Sequence, residues 1–364
     1  MTSEIIIQGK RIGQGEPCFI VAEMSANHAM SFTRAVEILH AAREAGADAV
    51  KMQTYTPDTI TLDVRDARFR IQKGPWEGRY LHDLYREAFM PWEWQPKLME
   101  EAGRIGIPLF STPFDESAVE FLERLRVPAY KIASFEAVDL PLIRRTAQTG
   151  KPVILSTGMC SLGEIHEAVK EIENAGNRHI VLLKCTSAYP APPEEMNLRT
   201  IPHLAEAFGH PVGLSDHSLG WEAAVTAVAL GACLVEKHLT ISRREEGPDS
   251  SFSLEPEEFR QMVRAVRTAQ RAIGEVRYEP TEREAESRRF RRSLFVVRDV
   301  LPGKAFTRDN VRSIRPADGL HPRYLTQVIG RTAAREIARG TPLSWDLIGG
   351  KSEDSPGGTT GSGL

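Results

Sequence analysis

Eight short apolar runs, each followed by a stretch of helical periodicity, set the limits on this chain. They are "CFIVAEM" from Cys18, "DAVKMQT" from Asp48, "IPLFST" from Ile107, "AYKIAS" from Ala129, "PVILST" from Pro152, "HIVLLKC" from His179, "PVGLSD" from Pro211 and "CLVEKH" from Cys233. Seven are rich in β-branched or bulky apolar residues, as strands buried on both faces of a parallel sheet must be. Glycine and proline mark the returns from helix to strand, as in "EAGAD", "RIGIP" and "QTGKP". Between the runs, "FTRAVEILHAAREAG" places Ala35, Ile38, Leu39 and Ala42 on one helical face. Eight β/α units in about 260 residues predict an α/β chain folded as a (β/α)8 TIM barrel. A doubly wound sheet is the alternative, but no GxGxxG follows the first run.

The barrel is expected over residues 1–278, opening with "MTSEIIIQGKRIG" as an edge hairpin. The second connection, from about Tyr55 to Met90, is unusually long and is expected to wall one side of the active-site mouth. "EPTEREAESRRFRR" reads as a linker over 279–292. Beyond it, short β-type runs and turn residues predict a small β-rich domain at 293–349, then a disordered tail at 350–364.

The formal net charge is −3 over 364 residues, which argues against nucleic acid as a partner. No apolar run approaches a membrane span, and no charged-then-apolar leader opens the chain. Four cysteines, Cys18, Cys160, Cys185 and Cys233, form no CxxC pair. Buried free thiols suit a reducing cytoplasm and make a cysteine-built zinc site a poor reading.

In a TIM barrel the reactive groups sit at the C-terminal strand ends and the loops after them. Here every strand ends in polar residues, from Glu23 with Asn27 and His28 to Glu236, Lys237 and His238. Burying such groups without partners costs several kcal/mol each, so a site is expected there. Adjacent seventh and eighth strands bring His217 and His238 together, a natural divalent-metal pair with Asp216 and Glu236 close by. Two hydrogen-bonded rim histidines are the plainer alternative. Lys51 and Lys131 share the rim with Ser111, Thr112, Ser134, Ser156 and Thr157, which suits a phosphate-carboxylate ligand. A Schiff-base lysine, or lysines salt-bridged to groups such as Glu136, are the alternatives. Tyr189-Pro190 begins a rigid loop, and Asp249 lies in the flexible "GPDSSFSLEP"; each reads equally as a turn residue. In the small domain, "RSIRPADGLHP" holds Arg312, Arg315 and His321.

Taken together, "VAEMSANH", "VKMQTY", "STPFD", "YKIAS" with Glu136, "LSTGM", "LKCTSAYP", "GLSDHS", "VEKHLT" and "GPDSSFSLEP" resemble the sialic acid synthase family across nearly the whole chain. "LPGKAFTRDNV" is similar to the signature of that family's antifreeze-like (SAF) domain. The resemblance implies condensation of phosphoenolpyruvate with an open-chain acylamino sugar, giving a nonulosonic acid and phosphate by C–O cleavage. It implies a divalent cofactor, Mn2+ or Mg2+, on His217 and His238. It assigns phosphoenolpyruvate contacts to Lys51, Gln53, Thr112, Lys131, Ser134, Ser156 and Ser215. Glu23, Tyr189 and Asp249 take sugar-side or proton-handling positions, with Glu136 and Ser187 in the substrate set. Family members are dimers in which one subunit's small domain covers the other's barrel, and Arg315 matches the arginine that reaches across. Lys184, Ser187 and "EMSANH" replace residues typical of sialate-making members, whose motif is EIGxNH. With "SIRPADGLHP" they resemble the pseudaminic acid synthase subgroup. That subgroup's sugar is 2,4-diacetamido-2,4,6-trideoxy-L-altropyranose. A sialate or legionaminate synthase, a lysine aldolase and a non-catalytic glycan-binding protein are the competing readings.

Overall fold

The computed structural model describes residues 5–245 and 247–351. The chain divides into two compact units, Met1–Gly274 and Glu275–Leu364. The first unit opens with an antiparallel hairpin, β1 (Ile5–Ile7) and β2 (Lys10–Ile12). Eight parallel strands follow: β3 (Phe19–Glu23), β4 (Ala49–Thr54), β5 (Leu109–Pro113), β6 (Tyr130–Ile132), β7 (Val153–Ser156), β8 (Ile180–Cys185), β9 (Val212–Asp216) and β10 (Leu234–His238). They close in that order, with β10 pairing back onto β3, so all eight predicted runs are barrel strands. The helix after the first of them, α1 (Phe32–Ala45), buries the predicted face, Ala35, Ile38, Leu39 and Ala42. Ser31 caps its start and Gly46, at φ 91°, ends it in the left-handed conformation glycine permits.

Strand alternation divides the barrel's side chains into two sets. One set faces the surrounding helices: Ile20 and Ala22, Val50 and Met52, Val153 and Leu155, Leu182, Leu214 and Val235. The other clusters inside: Phe19, Val21, Ala49, Phe110, Ala129, Ile154, Val181, Leu183 and Leu234. Ile5, Ile7 and Ile12 of the hairpin join that inner cluster, so β1 and β2 seal the barrel's N-terminal end rather than lying at an edge. Counting on by two from the inner apolar set reaches Glu23, Lys51, Gln53, Thr112, Lys131, Ser156, Cys185, Glu236 and His238, and Ser215 shares that parity on β9, two on from Gly213. The inside of the barrel is thus apolar at one end and polar at the other.

Parity also corrects one expectation. Ser111, Lys184, Asp216 and Lys237 end strands but lie on the outward set. Ser111 bonds Thr54 and the Met52 carbonyl, and Lys237 donates to Asp216 at 2.9 Å in a wholly buried ion pair.

The long second connection carries α2 (Pro57–Ile60) and α3 (Leu81–Ala88). In the second unit a short exposed helix (Glu282–Ser287) occupies the segment read as a linker. After it, β11 (Ser293–Val296) pairs with β12 (Val311–Ile314), and β13 (Arg331–Ala333) with β14 (Ile348–Lys351). Leu294, Val296, Phe306, Val311 and Leu343 are among the residues of its separate core. Strand β14 runs two residues into the stretch expected to be a tail, and 352–364 lie outside the described residues. No described helix is long and apolar enough to cross a membrane.

Candidate active site at the C-terminal end of the barrel

A cavity of about 780 Å³ opens at the polar end. Glu23, Lys51, Gln53, Lys131, Ser134, Glu136, Ser156, Ser187, Tyr189, Ser215, His217, His238 and Asp249 all line it. Two predicted residues do not. Thr112 is buried beneath the lining and receives a hydrogen bond from Lys51 Nζ at 3.2 Å, so its hydroxyl orients the lysine. Arg315 belongs to the second unit, exposed just beyond β12.

The charged centre is a buried relay. Lys51 Nζ lies 3.1 Å from Glu23 Oε2 and 3.2 Å from Glu236 Oε1, and Lys131 Nζ stands 3.8 Å from Glu236. Ser215 donates to Glu236 at 3.3 Å, and Gln53 donates to Glu23 at 3.0 Å. Burial disfavours the Lys51 ammonium, yet Glu23 and Glu236 outweigh it and hold its pKa above the ordinary value. Burial depresses Lys131, and the nearby carboxylates, Glu236 foremost, do not restore it. Glu23 is raised by burial, with Glu236 adding to the effect against Lys51.

Beside this relay, Ser25 donates to Asp249 and accepts from Gln53 at 2.9 Å. Ser25 holds φ 43°, a conformation that favours glycine. A glycine there would supply no hydroxyl to join Asp249 to Gln53. The departure from EIGxNH falls at Ser25, which the sequence motifs do not mark as a site residue. Glycine is required at Gly158, where a Cβ would stand 2.3 Å from Ser187 Oγ and 2.7 Å from Ser134 Oγ.

His217 and His238 face each other with ring centroids 5.4 Å apart. Tyr189 packs on His217 at 4.4 Å, and Phe252 packs on His238 at 5.1 Å. His217 Nδ1 lies 3.1 Å from the Thr186 carbonyl, which only accepts, so Nδ1 carries a proton and Nε2 is the nitrogen that could hold a metal when the ring is neutral. Cys185 Sγ also lies 3.8 Å from Nδ1. Burial raises the Cys185 thiol, but His217 more than offsets this and brings it to about 6. Burial, then the charges of His217 and the lysines, push His238 well below the ordinary imidazole range. Its Nδ1 is buried without a hydrogen-bond partner. Among the described residues no group of three or more His, Cys, Asp or Glu is placed to hold an ion. Two imidazoles 5.4 Å apart, one with a partnerless buried nitrogen, could supply two ligands of an open metal site, the other positions being left to water or substrate.

Glu136 carries a testable signature. Burial pushes its carboxyl up to about 7, against the opposing effect of its own backbone N–H and Lys131. Between pH 4.5 and about 7 the unfolded chain has released this proton and the folded chain keeps it. Stability should therefore fall as pH rises, by about 1.4 kcal/mol per unit and about 3 kcal/mol in all. Glu136→Gln should remove that slope, seen as urea midpoints that change less than wild type between about pH 5 and about pH 8.

Over residues 38–278 the chain matches the NeuB family, and over 291–349 the SAF domain. The chain belongs to the NeuB family. It is 45% identical over 325 residues to a pseudaminic acid synthase of Campylobacter jejuni subsp. jejuni serotype O:23/36, covering 89% of this chain and 95% of that protein. It is 35% identical to an N,N'-diacetyllegionaminic acid synthase of Legionella pneumophila, covering 92% and 96%. A crystal structure of N-acetylneuraminic acid synthetase from Leptospira borgpetersenii superposes with a TM-score of 0.70 at 31% identity, covering 79% of this chain and 95% of that one.

Proposed function

We propose that this NeuB-family chain is a pseudaminic acid synthase. It condenses phosphoenolpyruvate with open-chain 2,4-diacetamido-2,4,6-trideoxy-L-altropyranose to give the nonulosonic acid and phosphate. One observation carries the reading of the cavity as a reaction site. Glu136 Oε2, Ser156 Oγ, Glu236 Oε2 and His238 Nδ1 are buried, line one cavity and have no hydrogen-bond partner. Each such atom costs about 1–3 kcal/mol in a fold that has no ligand for it. The greater likeness to the pseudaminic than to the legionaminic relative supports the subgroup.

Lys51, Lys131, Ser134, Ser156 and Ser215 hold the phosphate and carboxylate. A phosphate beside Lys131 restores the charge that burial costs that lysine. His217 and His238 are the residues that would hold Mn2+ or Mg2+, which when bound supplies Lewis-acid polarisation of the aldehyde oxygen. Carbon three of phosphoenolpyruvate bonds to the aldehyde carbon, and positive charge develops at carbon two. Glu23, desolvated and close to neutral charge balance with Lys51, steers the water that adds there and takes its proton. The proton taken by Glu23 passes to the aldehyde oxygen, which becomes a hydroxyl; the new carbon-two hydroxyl gives its remaining proton to the phosphate, which leaves with the C–O bond electrons as the ketone forms. Tyr189 and Asp249 orient the sugar. The free thiols, three of them buried, suit a cytoplasmic enzyme.

A homodimer completes the site, with Arg315 of the partner subunit reaching the sugar. Phe135, Val138, Met159, Leu162 and Leu219 stand exposed just beyond the C-terminal ends of β6, β7 and β9, an apolar rim that supports docking of a second copy. Arg315→Ala is expected to lower kcat/KM by about 10²-fold. Mixing Arg315→Ala with His238→Ala protein should recover about a quarter of wild-type sites, because half of each mixed dimer is intact. No recovery would remove the exchange between subunits. The reading as a whole is tested by phosphate release from phosphoenolpyruvate against a panel of acylamino sugars, with and without metal. Inertness towards every sugar would overturn it.

A further inference from the structure

One part of the cavity lining has no role in this chemistry. Ile60, Ile71, Trp76, Leu81, Leu84 and Tyr85 all belong to the connection between β4 and β5, and all line the cavity. Phosphoenolpyruvate carries charge at both ends and has no use for an aliphatic surface. The reacting aldehyde belongs beside His217 and His238. The apolar surface is therefore left for the remainder of the sugar.

Trp76 ties the connection to the loop after the eighth barrel strand. A turn closed by Gly78 N–H to the Ile71 carbonyl and Ile71 N–H to the Arg79 carbonyl presents Trp76. Trp76 Nε1 donates at 2.9 Å to the carbonyl of Pro248, the residue before Asp249. Its ring lies 5.6 Å from that of Tyr189, which in turn packs on His217. Tyr55 backs the wall, 5.7 Å from Tyr85 and 5.1 Å from Phe114. The insertion after the second barrel strand is thus clasped to the loop after the eighth.

A hydroxyl pressed against Ile60, Ile71 or Leu84 loses water and gains no partner, whereas a methyl gains contact area. We propose that this insertion is the specificity element of the enzyme. It selects sugars in which hydroxyls are replaced by acylamino and deoxy-methyl groups, and Trp76 is the positioning residue that fixes it against the reactive end. The proposal rests on the synthase reading above and adds to it which residues read the sugar. It distinguishes diacylamino trideoxy sugars from polyhydroxylated ones by methyl count rather than by stereochemistry.

The test is the ratio of kcat/KM for 2,4-diacetamido-2,4,6-trideoxy-L-altropyranose over N-acetylmannosamine, with phosphoenolpyruvate saturating. Wild type should favour the first by about 10²-fold, the discrimination an apolar pocket achieves against added hydroxyls. Ile71→Asn should narrow the ratio by about tenfold, through the KM for sugar, with the KM for phosphoenolpyruvate unchanged. Trp76→Phe keeps a ring but loses the bond to Pro248, and should narrow the ratio in the same direction. If either variant folds poorly the other still decides, since a merely structural role lowers both sugars together. Sugar turnover with the ratio unmoved in the folded variants overturns the specificity role alone. Failure of wild type to turn over any sugar overturns the synthase reading and this proposal with it.

Discussion

Replacing His238 with alanine should lower phosphate release by about 10³-fold or more, the rate equivalent of several kcal/mol of carbonyl polarisation. His217→Ala should do the same. Both side chains emerge where β9 and β10 end, and the fold beneath them rests on the apolar sets of the strands. Circular dichroism and the urea midpoint should therefore stay close to wild type, and removing His238 relieves a buried ring nitrogen that has no partner. Mn2+ titration calorimetry separates the proposed role from a packing role against Tyr189 and Phe252. Wild type should bind one ion per chain and each variant should bind it far more weakly. His238→Ala protein with undiminished activity and affinity would remove the histidine pair from the mechanism.

Lys51→Met should have the second largest effect, and it acts on stability as well as activity. Its ammonium is the shared partner of Glu23 and Glu236, all three nearly inaccessible to solvent. Methionine fills a similar volume but leaves two carboxylates without that cation. Breaking a buried pair in this way costs about 3–5 kcal/mol. The loss should be largest near pH 8, where both carboxylates are driven to ionise. It should shrink near pH 5, where Glu23, already raised by burial, holds its proton more readily. Urea midpoints at the two pH values measure this. The KM for phosphoenolpyruvate should rise by at least about 10²-fold, since an anion loses a charge-assisted donor. A midpoint that moves equally at both pH values would show that Lys51 acts through packing rather than charge.

The eight runs, their spacing and their polar C-terminal ends were legible because a parallel barrel strand is apolar on both faces and its catalytic rim is not. The histidine pair followed from the same reasoning, since β9 and β10 are neighbours in chain and in space. Thr112 is one of the expected ligand contacts, and in the structure its hydroxyl accepts from Lys51 below the cavity lining. The sequence shows that a hydroxyl ends the strand, but not how far along the barrel axis the cavity begins. Ser25 went unassigned because its importance lies in a left-handed backbone and a bond to Asp249, 224 residues away.

By itself the sequence determined the barrel, its order of strands and the end at which chemistry gathers, because period-two alternation and β/α repetition are local patterns written residue by residue. Tertiary structure alone decided which polar ends point inward, since strand parity becomes inside or outside only when β10 closes onto β3. It alone brought Trp76 of an aperiodic insertion to Pro248, 172 residues further on, because no repeat encodes where a long loop comes to rest; that is decided by packing and by hydrogen bonds such as that from Trp76 to Pro248.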